Sequence, residues 1–172
     1  MKSSEKKYSL IKSSFKIIEK SGWKSFSFQK LSYSEKISIN EIKKFFKSEI
    51  DILNEFSKMI DIKVEKSFDY QELGNTSVKD NLFELIMLRL ELMQPYRNAL
   101  KSILNTFKSD PLLAKSVAKN VMNSLDFYLE LTNAFNDSFL DIFKKKSIFL
   151  VYSYIFTIWL EDNSEELSKT MS

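Results

Sequence analysis

Cysteine and histidine are absent from this 172-residue chain. Their absence excludes disulfide frameworks, Cys/His zinc sites, thiol nucleophiles, Ser-His-Asp triads and histidine general bases, and most common enzyme designs go with them. Glycine and proline are scarce, two of each, which leaves little turn chemistry for hairpins or for glycine-rich phosphate loops. No apolar run reaches the roughly 20 residues of a membrane-spanning helix. The longest, residues 148–160, has 13 and includes Ser153 and Thr157, so a buried helix is expected there and no membrane span. Residues 1–20 carry lysines without an uninterrupted apolar segment or a small-residue cleavage site; no secretory signal is expected, and the cytoplasm is the expected compartment. The carboxylate pairs Glu161-Asp162 and Glu165-Glu166 are sequence neighbours that diverge on a helix and read as surface groups or caps. No catalytic residue, metal or cofactor is expected.

What is present points to helices. Hydrophobic residues make up 44% of the chain and charged ones 28%, enough for one domain with a real core or two small subdomains. Leu10, Ile11, Phe15, Ile17 and Ile18 share one helical face over residues 4–21, ended by Gly22 as a C-terminal cap. Ser27 is placed as the N-cap of a short second helix carrying Leu31 and Tyr33. Ser38-Ile39-Asn40-Glu41 has capping-box spacing and opens a third helix, expected to reach Phe46. Ser48 with Asp51 starts a fourth helix bearing Ile50, Leu53, Phe56, Ile60 and Val64.

Residues 69–76 hold the other glycine and read as a linker. Beyond it, Ser77 and Asp80 open a helix that is interrupted at Pro95. Residues 95–107 continue it or form a new one. Asp110-Pro111 starts another, which runs to Leu131. A break is expected at residues 136–138. A long helix from about Ser138 then carries Lys144, Lys145 and Lys146, followed by a short last helix over 164–171. The reading is all-α.

Charge divides unevenly. Residues 1–66 hold 15 lysines and nine acidic residues, a balance of +6, whereas residues 67–172 hold 11 basic and 14 acidic ones, a balance of −3. A basic head on an acidic body is the distribution expected when the head meets a polyanion. The short helix over 27–36, a tight turn and the capped helix from Ser38 have the lengths of a helix-turn-helix, whose second helix presents its first residues to the major groove.

Gly22-Trp23, Phe26-Ser27 and the segment 31–53, LSYSEKISINEIKKFFKSEIDIL, resemble the N-terminal signature of the TetR/AcrR regulators. Leu31, Ile37, Ser38, Ile42, Phe45, Phe46, Ser48, Ile52 and Leu53 fall on that family's apolar or capping positions without a gap. Lys36 stands where the pattern has the turn glycine, Asn40 at its next glycine, Glu41 at a threonine, Lys43 at a tyrosine and Glu49 at a lysine. Farther on, Leu88-Arg89-Leu90-Glu91, Pro95-Tyr96-Arg97, Asp110-Pro111-Leu112, Val151-Tyr152 and the ending from Trp159 to Met171 look like the C-terminal half of a TetR-like group. That group includes regulators and also accessory proteins of ubiquinone biosynthesis that keep the fold, bind lipid or isoprenoid and no longer bind DNA.

The resemblance implies a helix-turn-helix head of three to four helices, residues 1–68, on a helical bundle, residues 69–172, that binds an effector and dimerises. It implies a ligand-responsive repressor acting on double-stranded operator DNA as a homodimer. Ser38, Ile39, Asn40, Glu41, Lys43 and Lys44 are the expected readers, with Ser27, Lys30 and Lys47 on phosphates. Met87, Leu90, Arg97, Tyr128, Tyr152 and Phe156 are candidate pocket residues for a small apolar or lipid effector. The accessory-protein reading stays open beside it.

Overall fold

The structure, a computed structural model, describes residues 3–71, 75–134, 141–162, 164 and 168–171. Among the described residues there is no strand; the α-helices are α1 (Ser3–Ser21), α2 (Phe28–Glu35), α3 (Ile39–Lys43), α4 (Glu49–Ser67), α5 (Val78–Met93), α6 (Arg97–Asn105), α7 (Pro111–Leu131), α8 (Asp141–Glu161) and α9 (Ser168–Met171). None is long and apolar enough to cross a membrane.

The chemistry of the chain sets the helix ends. Gly22 closes α1 at φ 79°, its N–H donating to the Ile18 carbonyl at 2.8 Å. A Cβ there meets only the Ser102 hydroxyl at 3.6 Å, so the backbone angle, not lack of room, calls for glycine. Ser77 accepts from the Asp80 N–H at 3.2 Å, and the Asp110 carboxylate accepts from the Leu113 N–H at 2.9 Å; each fills an orphan donor of a first turn. Pro95 lies in a single 3₁₀ turn, Gln94–Tyr96, that divides α5 from α6.

α3 is shorter than expected, ending at Lys43 instead of Phe46. The Lys44 N–H reaches back to Glu41 and Ile42 carbonyls and the Phe45 N–H to Ile42 at 2.9 Å, a tightening that swings Phe46 into the core, where it is wholly buried. The expected break at 136–138, the start of the next helix near Ser138, Gly74 and Glu165-Glu166 lie outside the described residues.

By packing, the chain forms two compact units, Met1–Met59 with Pro95–Ala118 and Ile60–Gln94 with Lys119–Ser172. This is a division of contacts, whereas the expected cut at residue 68 is one of tasks. In the first unit α1 packs on α2 and α6, burying Leu10, Ile11, Phe15 and Ile18 with Leu31, Ile42, Phe46, Ile52 and Phe56. Phe15 stacks on Phe56 at 4.0 Å, and Tyr96 meets both rings edge-on, at 5.3 and 5.0 Å. This arrangement adds quadrupole attraction to area burial. The second unit buries Leu85, Ile86, Leu90, Met93, Leu125, Tyr128, Tyr152, Trp159 and Leu160. The end of α8 is fastened by Asp162, whose carboxylate accepts from the Ser164 N–H at 2.9 Å and the Thr170 N–H at 2.8 Å. The Ser164 and Thr170 hydroxyls join these donors and hold the carboxyl well below the usual carboxylate range.

Candidate nucleic-acid interface

The candidate interface comprises α2, the turn after it, and α3. α2 begins at Ser27, whose hydroxyl accepts from the Lys30 N–H at 3.3 Å. A second acceptor, the Glu49 carboxylate from the start of α4, lies 3.4 Å from the Phe28 N–H. The acid that departs from the TetR/AcrR pattern thus sits beside the positive end of α2.

Between the helices, Lys36 takes the left-handed conformation at φ 54°, and the Ile37 N–H returns to the Ser32 carbonyl at 3.2 Å. The Ser32 hydroxyl donates to the Ile37 carbonyl at 2.5 Å. Lysine at the pattern's glycine position therefore keeps the glycine-type backbone, held by hydrogen bonds on both sides of the turn.

α3 starts at Ser38, which accepts from the Glu41 N–H at 3.2 Å. The expected capping box is half made. Its second arm is replaced: the Glu41 carboxylate is paired with the Lys6 ammonium of α1. This hydrogen bond, with the nearby Lys6 and Lys44 charges, lowers the Glu41 carboxyl below its ordinary value.

Of the sequence-derived candidates, Lys30, Ser38, Asn40, Lys43, Lys44 and Lys47 are exposed, and Ser27, Ile39 and Glu41 are half-buried. Ile42, between them, is wholly buried and roots α3 in the core. A large apolar side chain that sequence reasoning left out of the surface set, Tyr33 of α2, is 89% exposed.

The pocket candidates are distributed otherwise. Arg97 belongs to the first unit and the other five to the second. There Leu90, Tyr128 and Tyr152 are buried, whereas Met87 and Phe156 are half-buried. Both tyrosine hydroxyls are engaged by a residue not singled out as a site, Arg89, which is 3% exposed. Its Nε donates to Tyr152 at 3.1 Å and an Nη to Tyr128 at 3.3 Å, while the guanidinium pairs with Asp61. Tyr128 donates to Asp61 at 2.8 Å, and Ser124 donates to it at 2.7 Å.

Burial opposes the Arg89 charge, yet Tyr128, Tyr152 and Asp61 together hold its pKa above the ordinary value. Burial pushes both phenols up. A signal for this network was present in the sequence, because Arg89 falls in phase with Leu85, Ile86, Leu90 and Met93 on the inward face of α5.

No family model matches the chain, and no curated protein matches it. Among solved structures, the chain is similar to the crystal structure of the TetR transcriptional regulator from Nitrosomonas europaea ATCC 19718, with a TM-score of 0.76 and 13% identity over 96% of this chain and 91% of that one. The chain therefore has an all-α, TetR-like fold.

Proposed function

We propose that this protein is a TetR-like transcriptional regulator, a ligand-responsive repressor that binds operator DNA as a homodimer. The observation that carries the reading is the state of α3. Asn40, Lys43 and Lys44 are exposed, while the two acids that break the sequence pattern are turned to internal use, Glu41 toward Lys6 and Glu49 toward the start of α2. A short helix rooted by Ile42, presenting an amide and two ammonium groups, suits the major groove.

Under this reading Ser38, Ile39, Asn40, Lys43 and Lys44 form the reading surface, Glu41 lies among them with its carboxylate held by Lys6, and Ser27, Lys30 and Lys47 meet phosphates. The solved neighbour's description as a transcriptional regulator supports the regulator reading, which assigns a head over residues 1–68 and a body over 69–172. The proposed compartment is the cytoplasm, and no catalytic role is assigned.

Two half-sites about 34–36 Å apart, or a multiple of that, require two copies. α8 offers a surface for the second copy. Leu150 and Tyr154 are 69% and 68% exposed, with Phe143 exposed on the same side. These positions follow helical spacing and share one face, on which Lys146 and Ser147 lie between Phe143 and Leu150. A small apolar or lipid effector in the body, near Met87, Leu90, Tyr128, Tyr152 and Phe156, shifts the equilibrium between DNA-competent and incompetent states by its differential affinity for them.

Selection from a pool of random duplexes tests the reading. It should return a palindromic site bound by two copies, with affinity falling linearly in log salt. Replacing Lys30 and Lys47 with Ala should lower that slope by about 2 and weaken binding across sequences, whereas replacing Lys43 and Lys44 with Ala should relax the sequence preference. Failure to enrich any duplex at about 50 mM salt, where phosphate contacts are strong, ends the regulator reading.

A further inference from the structure

The first turns of α1 carry two consecutive lysines that reach different helices of the head. Lys7 pairs with Glu55 of α4 at 2.5 Å. Lys6 pairs with Glu41 of α3. α1 itself is firmly seated, since Leu10 and Ile11, one turn on, are buried, so both ammonium groups work from a fixed base. In the Lys6–Glu41 pair each side chain remains about one-third exposed, 33% and 34%. Pairs this open to water add little to folding stability. Their effect is local: they decide what charge that patch shows to an approaching polyanion.

At Glu41 this matters more than elsewhere. The residue lies in the first turn of α3, between exposed Asn40 and exposed Lys43 and Lys44. Under the regulator reading, a bare carboxylate in that place would repel phosphate and offset one of the two lysines.

We propose that Lys6 is a positioning residue of the DNA-reading surface, one that neutralises and fixes the Glu41 carboxylate so that α3 meets the duplex with the charge of its lysines. The inference rests on the regulator reading above. Lys6 touches no base under it; it acts through Glu41. The half-made capping box has the same explanation, because the carboxylate satisfies Lys6 instead of the Ser38 N–H.

The test is a double-mutant cycle on full-length protein, read by DNA affinity on the selected duplex and by the NMR titration of the Glu41 carboxyl. Lys6→Ala should weaken binding by about tenfold, the scale of a lost charge pair at an interface. Adding Glu41→Gln to Lys6→Ala should restore affinity to within about twofold, a residual difference typical of an exposed site. Lys6→Arg should keep it. The Glu41 carboxyl should titrate below its ordinary value in the wild type and return to it in Lys6→Ala.

A double variant as weak as Lys6→Ala makes Lys6 a phosphate contact and overturns the positioning role. So does a Glu41 carboxyl that titrates normally in the wild type, even when DNA binding is intact. If no duplex is bound by the wild type, the regulator reading itself falls and the role of Lys6 falls with it.

Discussion

Arg89 carries its charge in an environment that opposes it. A guanidinium 3% exposed is tolerated because Asp61, Tyr128 and Tyr152 supply the acceptors that water no longer provides. Such a pair is weak evidence for net stabilisation, yet breaking it from one side is costly, since the remaining charge stays behind without its partner. Arg89→Ala is expected to lower unfolding free energy by about 3 kcal/mol in urea titrations. Arg89→Met combined with Asp61→Leu should cost far less than Arg89→Ala, because no charge is stranded. Equal losses in the two proteins would show that packing, not charge, sets the cost. The sequence placed Arg89 on an apolar helical face, but Asp61 is flanked by Ile60 and Ile62 with nothing local to join it to a residue 28 positions away.

At the scale of elements, the caps were legible and the lengths less so. Ser27, Ser38, Ser77 and Asp110 cap the helices assigned to them, because a cap is a contact over three residues and local sequence contains all of it. The end of α3 depends on Phe46 entering a core built by distant helices, which no local pattern specifies. The turn between α2 and α3 shows the same tension. Lys36 sits at φ 54°, where a side chain bearing Cβ is strained and glycine is not. Lys36→Gly is therefore expected to raise stability by about 0.5–1 kcal/mol, measured as a higher urea midpoint at unchanged slope. A loss of stability would mean that the lysine side chain itself supports the turn.

For the whole molecule, pH integrates these local environments. Glu41, Glu55 and Asp162 have carboxyls held below their ordinary values: Glu41 by Lys6, Glu55 by Lys58 and Lys7 against the opposing cost of burial, and Asp162 by the Ser164 and Thr170 donors. As pH falls, the unfolded chain takes up these protons first, so their stabilisation is complete above the unfolded values and is lost below about pH 4–5. Tyr128 and Tyr152 are shifted the other way, upward by burial. Their phenols ionise first in the unfolded chain, so stability declines as pH climbs past about 10. Urea midpoints should form a plateau between those limits and fall on both sides. A flat response down to pH 3 would remove the carboxylate contacts from the account.

The sequence alone determined helical class, caps and the buried phase of most helices, because each is set by residue spacing within a few turns, and its composition placed the lysine excess in residues 1–66. Tertiary structure decided which charges are spent inside the protein. Glu41 meets Lys6 across 35 positions, Glu49 meets the Phe28 N–H across 21, and Tyr128 meets Asp61 across 67. Periodicity has no reach over such separations; only the packed helices bring those groups within hydrogen-bonding distance.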